Sequence, residues 1–425
     1  MVIERLTIKN FKAIEEMSIE FQPGMNLLIG DNGVGKTSVL EAIAVALGGY
    51  LAGIPGVSAR NILQEDIRIK TVEMGKASMG IKYCMPVEIG CDIDIDGIKY
   101  QWHRSRTDFG SNAKTKMDDR GICKYAQEIT NSADKILPLL SFQSEARVWQ
   151  THRGDFGKEL KKKLNDRRRG YIGSLDYSLD IKGIQEWCLK MEMEAFLQGQ
   201  LIDEYETFKE VVSSFMQKMN GMKAKPEIHY SRQMEQIVYR ENTEELPISY
   251  LSAGYQSLLW MIMDLAYRMA VLNPNIGSNI EQVTGIVVID EIDMHLHPKW
   301  QWKVVDALKE TFPNVQFIMA THSPMVISSC KNCTVINITD LQEIRYMQDS
   351  FGYSVQDVLQ LRQGSDEKPA VIKELTDKFE VEMNREEFDK AESIIDQMID
   401  LLGKNHSEVK QAKAELEASR WVEGN

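Results

Sequence analysis

The chain has 425 residues, 43% of them hydrophobic and 27% charged, enough for two or three structural units around a large core. No run of about 18 apolar residues occurs, and charges interrupt the opening MVIERLTIKNF, which argues against a membrane span or secretory signal and leads us to expect a cytoplasmic protein. A net charge of −13 excludes a surface coated in positive charge, though not a local basic face, and six scattered cysteines are too few for a disulfide framework and are expected to be reduced.

In chain order, Val2–Ile8, Met17–Phe21 and Met25–Ile29 read as strands, the last apolar enough to lie inside a sheet. A glycine-rich turn and a helix over Thr37–Leu47 follow. Residues 81–103 alternate with period two, and Asp96-Gly97 between Ile95 and Ile98 marks a hairpin turn. Asp92, Asp94 and Asp96 then lie on a solvated face rather than forming a metal cluster. From 151 to about 225 the pattern turns helical and polar, and Lys158–Arg169 carries seven basic and two acidic residues. Strand-like pieces return at Ile228–Tyr230 and Gln236–Arg240. A helix over Gly254–Leu272, the strand Gly285–Ile289, a helix behind Pro298 and the strand Val315–Ala320 indicate a parallel α/β sheet. Cys330 and Cys333 lack the second ligand pair that a zinc site needs and read as small hydrophobes beside a loop. Residues 365–425 hold sixteen acidic and nine basic residues. Apolar positions Val371, Leu375 and Phe379, then Ile394, Ile395, Met398, Ile399 and Leu402, recur there at helical spacing, for internal packing or for docking another subunit.

Two stretches point to nucleotide chemistry. Gly30-Asp31-Asn32-Gly33-Val34-Gly35-Lys36-Thr37 matches GxxxxGK[ST], placed between a strand and a helix. Gly30, Gly33 and Gly35 let the backbone wrap phosphates, and the amides of Asn32 through Ser38 face an anion at a helix start. Lys36 would reach the β- and γ-phosphates of ATP, and the Thr37 hydroxyl would ligate Mg²⁺. The second stretch, Ile286–Ile289, ends in Asp290 and Glu291. A buried strand delivers both acids to its carboxyl end, Asp290 for Mg²⁺ and Glu291 to accept a proton from the attacking water.

Leu251-Ser252-Ala253-Gly254-Tyr255-Gln256, before a long helix, resembles the LSGGQ signature of ABC-type ATPases, departing from it at Tyr255. Taken alone, Ser-x-Gly before a helix is also an ordinary cap. Thr321-His322-Ser323-Pro324 is similar to the switch-histidine segment of that class. With Glu291–Pro298 (EIDMHLHP), these blocks resemble the AAA-like ATPases of the ABC/SMC class in its RecF/OLD branch, over about residues 1–345. The length, the LSAGY spelling and the acidic tail look most like the ATPase subunits of Septu-type bacterial anti-phage systems.

The resemblance implies an α/β fold: an ABC-ATPase head, in which a P-loop sheet joins an antiparallel β subdomain, with a helical insertion and a helical C-terminal tail. The corresponding boundaries are 1–150 for an N-terminal ATPase lobe, 151–247 for the insertion, 248–347 for a C-terminal lobe and 348–425 for the tail. It implies that Ser252 and Gly254 bind the γ-phosphate of a nucleotide held by an opposing subunit, in a head-to-tail homodimer or higher oligomer. His322 would contact the γ-phosphate and orient Glu291, Gln143 would sense Mg²⁺ and water, Asn10, Phe11 and Lys12 would contact base or phosphates, and Asp293 would take an inter-subunit position. His295 and His297 belong to the family's HLHP stretch, with a metal site alongside Asp293 as the lesser alternative.

Between Gln143 and Ser252 even a wholly helical hairpin has arms of about 50 residues, roughly 75 Å, which excludes a long SMC-type rod. The tail carries no Toprim-like acidic cluster, so the chain is expected to cut nothing itself. The expected function is an ATPase, slow or mainly regulatory, that controls a separate HNH-type nuclease in anti-phage defence. The alternative is a RecF-like DNA-repair ATPase without a nuclease partner. DNA contact through Lys158–Arg169 would suit either, and a solvated helix face is the simpler account of that run.

Overall fold

A computed structural model of the protein describes residues 1–73, 79–110, 113–145, 166–177, 179–347, 350–362, 370–404 and 406–423. The chain divides into two compact units, Met1–Val355 and Gln356–Asn425.

The first unit opens with β1 (Val2–Phe11), β2 (Ile14–Glu20) and β3 (Met25–Ile29), then α1 (Lys36–Leu51). A short ladder of β4 (Ile69–Glu73) and β5 (Met79–Tyr83) precedes β6 (Val87–Ile95), β7 (Ile98–Arg106), β8 (Lys116–Met117), α2 (Gly121–Asn131) and β9 (Leu139–Gln143). Helices α3 (Ile181–Gln198) and α4 (Asp203–Asn220) lead to β10 (Glu227–Ser231), β11 (Gln236–Glu241) and β12 (Glu244–Pro247). Next come α5 (Ala253–Leu272), β13 (Gly285–Ile289), α6 (Pro298–Gln301), α7 (Val304–Thr311), β14 (Val315–Ala320), α8 (Pro324–Ser329), β15 (Thr334–Ile338) and β16 (Ile344–Met347).

The central sheet has six strands in the order β16-β15-β3-β14-β13-β9, all parallel except β16. Both of its faces are covered, so its inner strands carry no polar alternation. Leu27, Val287, Ile289, Phe317 and Met319 point into one core and Leu28, Ile286, Val288, Ile318 and Ala320 into the other. On the second face, α1 lies under an antiparallel sheet ordered β2-β1-β6-β7-β8. Trp102 of β7 donates its indole N–H to the Ala46 carbonyl at 3.1 Å. The Asp96-Gly97 turn joins β6 to β7 as expected: Ile93 and Ile95 are buried, and Asp94 accepts the Gly97 N–H.

On the first face, α3 and α4 do not project from the head but bury aromatic side chains against α5. Trp187 meets Tyr205, Phe208 and Tyr267 edge-on at 5.1–5.9 Å, an arrangement favoured by the ring quadrupoles. The described part of 151–247 is therefore helical only to Asn220; residues from Glu227 to Pro247 form the three-stranded sheet β10-β11-β12.

Cys330 and Cys333 lie side by side with their Cα atoms 5.9 Å apart, within reach of a disulfide, where six reduced thiols were expected. The turn between them, with Asn332 in the left-handed region, folds one sulfur onto the other. Cys84, Cys91, Cys123 and Cys188 are free.

In the second unit, α9 (Val355–Arg362) is followed by α10 (Ala370–Asn384), α11 (Phe388–Leu402) and α12 (Ser407–Glu423). Phe379, Ile394, Ile395 and Met398 bury against Val409 and Leu416, whereas Val371 is exposed. Most of the apolar stripe thus serves the unit's own small core.

Candidate functional site

Parallel pairing brings the carboxyl ends of β9, β13, β14 and β3 to one edge of the central sheet. The Asp290 N–H donates to the Gln143 carbonyl at 2.8 Å, the Ile292 N–H to the Ala320 carbonyl at 3.1 Å and the Thr321 N–H to the Leu28 carbonyl at 3.3 Å. Residues distant in sequence are thereby fixed side by side: Gln143, Asp290, Glu291, Thr321, His322 and the loop that starts at Gly30.

That loop has the geometry of a cradle. Gly30, Gly33 and Gly35 all have positive φ. A Cβ at Gly30 would meet the Ile338 carbonyl oxygen at 2.3 Å, so no other residue fits there. Asp31, Asn32 and Gly33 are exposed at its crest, Ser38 is buried, and Thr37 is exposed in the first turn of α1, which carries no acidic residue to compete with an anion. Lys36 donates to the Gly30 and Asp31 carbonyls at 2.9 Å each, coiled onto its own loop. Burial pushes its ammonium pKa down, against the pull of Glu291, Asp290 and Asp31.

Glu291 sits in the left-handed region at φ 47°, which for a non-glycine residue costs about 1–2 kcal/mol. Such a cost is tolerated where the surrounding structure requires it. Burial first, then the Asp293 and Asp290 carboxylates, push Glu291 up to about 7. An acid with that pKa is a competent base near neutrality. The His322 Nε2 lies 3.6 Å from a Glu291 carboxylate oxygen. Burial, followed by the Lys36 charge, lowers the His322 pKa and favours the neutral ring. The Thr321 hydroxyl donates to Asp293, fixing that carboxylate within the chain.

The oxygen donors at this edge suit a hard divalent cation: the Thr37 hydroxyl, the Asp290 carboxylate and the Gln143 amide oxygen, which is buried without a hydrogen-bond partner among the described residues. The described residues contain no group of three or more His, Cys, Asp or Glu able to hold a metal on their own. His297 instead caps α6, accepting the Lys299 N–H at 3.2 Å.

Ser252 is exposed at the N-cap of the twenty-residue helix α5, and its side chain makes no capping bond. Gly254 packs against the loop after Glu291, where a Cβ would meet the His295 carbonyl oxygen at 2.6 Å. Tyr255, the departure from LSGGQ, lies edge-on to Trp300 at 4.4 Å and shares its hydroxyl with Glu241. The signature segment is thus clasped to the segment carrying Asp293.

The N-terminal expectations divide. Phe11 is fully buried in the core, so its ring cannot meet a base, which corrects that assignment. The Asn10 amide donates to the Pro86 carbonyl at 2.9 Å. Lys12 forms ion pairs with Glu41 and Asp66 and donates to the Tyr177 hydroxyl, while Arg60 stacks on the Tyr177 ring at 4.1 Å. Sequence reasoning missed this group because its members are scattered from 12 to 177. Of the basic run, 158–165 lies outside the described residues. Arg167 donates to Ala133 and Lys135 carbonyls, Arg168 pairs with Asp166, and Arg169 pairs with Glu204.

An AAA-domain family model matches residues 5–222, just over half of the chain, and an AAA ATPase domain model matches 158–327. The chain is 27% identical to a retron Ec83 probable ATPase of Escherichia coli over 75% of its own length and 68% of the relative's. It is 24% identical to the Septu protein PtuA of Bacillus thuringiensis over 92% of its length and 91% of the relative's. Among solved structures it is similar to an SMC head bound to the C-terminal winged-helix domain of ScpA, at 18% identity and a TM-score of 0.47, covering 83% of this chain and 96% of that one. With the Gly30–Thr37 loop, Asp290, Glu291 and His322 gathered on one sheet edge and an AAA-domain family model matching just over half of the chain, the chain belongs to the AAA-domain family and is an ATPase.

Proposed function

We propose that the chain is the ATP-binding and ATP-hydrolysing subunit of a bacterial anti-phage defence complex, and that it regulates a separate, HNH-type nuclease. The similarity to a Septu protein over nine-tenths of both chains carries this reading.

In the proposed chemistry, the amides of the Gly30–Ser38 cradle hold the phosphates, and Lys36 turns from its own loop carbonyls to the β- and γ-phosphates. Thr37, Asp290 and Gln143 would hold Mg²⁺, which supplies charge neutralisation of the phosphates when bound. Glu291 takes a proton from the attacking water as its oxygen bonds to γ-phosphorus and the bond to the β-phosphate oxygen breaks. His322, neutral and beside Glu291, donates to the γ-phosphate and keeps the carboxylate oriented. The exposed N-terminus of α5, with the Ser252 hydroxyl uncommitted to its own helix, suits the γ-phosphate of a second subunit, so two copies placed head to tail would complete two sites.

The internal partners of Arg167, Arg168 and Arg169 lend no support to a DNA-facing role for that part of the basic run. No helix among the described residues is long and apolar enough to cross a membrane.

Co-expression with the product of the neighbouring gene is the test. A stable complex with a nuclease, whose cleavage changes with ATP, is expected. A lone ATPase with salt-sensitive DNA affinity would instead establish the RecF-like alternative.

A further inference from the structure

Asp264 and Arg268 lie one turn apart on α5, 1% and 4% exposed, in a helix whose other buried residues are almost all apolar. A charged pair so deep is tolerated only if its remaining hydrogen-bonding capacity is met. Here Arg268 Nε donates to Asp264 Oδ2 at 2.9 Å, Nη1 to the Gly170 and Ile172 carbonyls at 3.0 Å each, and Nη2 to the Gly173 carbonyl at 3.3 Å. The guanidinium is thus anchored from two chain segments and holds the carboxylate in place.

Asp264 Oδ2 also accepts from the Gln143 amide nitrogen at 2.7 Å and from the Ser141 hydroxyl at 3.3 Å. Ser141 and Gln143 are alternate residues of β9 and share the face turned to α5. The Gln143 nitrogen donates to Ser141 Oγ as well, at 2.8 Å. A carboxamide has one donor end and one acceptor end, and only the donor end is stable against an anion. The orientation of Gln143 is therefore decided by Asp264, which turns Oε1 away from α5 while the main chain stays pinned to Asp290.

We propose that Asp264, held by Arg268, is a positioning residue that presents the oxygen of Gln143, rather than its NH₂, to the divalent ion of the bound nucleotide. An amide oxygen ligates such an ion and an amide nitrogen does not. The proposal rests on the reading of Gln143 as a metal-facing residue given above. It assigns to the signature helix a second task, that of setting the metal-sensing group of its own subunit.

The test uses the full chain and a fluorescent, non-hydrolysable ATP analogue, with affinity measured in Mn²⁺ and again in EDTA. The ratio of the two is the ion's contribution. Asp264→Asn, which can offer its own NH₂ to Gln143 and so permit the flipped amide, is expected to reduce that ratio about 10-fold, the scale on which residues supporting a metal ligand act. Its affinity in EDTA is expected to stay within about twofold of the parent's. In a Gln143→Ala background, Asp264→Asn is expected to add nothing, which a merely structural role for Asp264 would not produce. A parental ratio for Asp264→Asn, or an equal loss with and without Gln143, overturns the proposal. If Gln143→Ala itself leaves the ratio unchanged, the metal-facing reading of Gln143 falls and takes the proposal with it. Should Asp264→Asn not fold, Ser141→Ala decides: it removes the second acceptor of the Gln143 NH₂, a drop of about twofold or more supports the proposal, and an unchanged ratio overturns it.

Discussion

Replacing Glu291 by Gln should stabilise the nucleotide-free protein at pH 8 while removing its turnover. Burial and the adjacent carboxylates raise Glu291 from 4.5 to about 7. An acid whose folded pKa lies above its unfolded value favours folding most when both states are protonated, below about pH 4.5, and that advantage is lost as pH rises toward 7. Above pH 7 the charged side chain then costs at most about 3 kcal/mol. Its side chain is 25% exposed, and solvent screening reduces this to about 1–2 kcal/mol. For a unit the size of Met1–Val355, an unfolding entropy of about 0.7 kcal/mol/K converts that to roughly 1–3 °C in Tm. Thermal melts in EDTA without nucleotide should show the gain for Glu291→Gln at pH 8 and only about a quarter of it at pH 5. An unchanged or lower Tm at pH 8, or an equal gain at both pH values, would refute the electrostatic account and assign the effect to packing.

Lys36→Ala should weaken ATP binding about 100-fold, the value of charge-assisted contacts to phosphate, as read by titration with a fluorescent ATP analogue. Gly254→Ala should displace the His295 carbonyl and cut ATP turnover about 10- to 100-fold in a coupled assay with ATP affinity retained; parental turnover would mean that the loop yields without consequence. Tyr255→Ala should cost about 3 kcal/mol in urea unfolding through loss of the Trp300 contact, whereas Tyr255→Phe, which keeps the ring, should cost about 1 kcal/mol.

Some elements were open to inspection before any coordinates. Gly285–Ile289 is an uninterrupted apolar run and Val315–Ala320 is broken only by Gln316, and each coincides with a strand buried on both faces. The hairpin at Asp96-Gly97 was visible for the same local reason, since turn type and side-chain alternation need no distant partner. Phe11 was misassigned because the resemblance carried it over together with Asn10 and Lys12, whereas β1 turns its ring into the core that α1 shares. Asp264 and Arg268 drew no notice because an acid and a base one turn apart on a helix ordinarily mark a solvated face. Only the packing of β9 and the Gly170–Gly173 segment on α5 makes that face an interior one.

The sequence by itself determined the chemistry carried by contiguous stretches: a phosphate loop between strand and helix at Gly30–Thr37, and an acid pair at the end of a buried strand at Asp290-Glu291. Steric and hydrogen-bonding demands act there within a few residues. Tertiary structure decided which of these ends lie beside which, the raised pKa of Glu291, the clasp of Gly254 and Tyr255 on the 295–300 segment, and the hold of Asp264 on Gln143. Those properties depend on strand order and on burial of charge, and both arise from contacts between segments far apart in the sequence, such as Gly254 with His295 and Gln143 with Asp264.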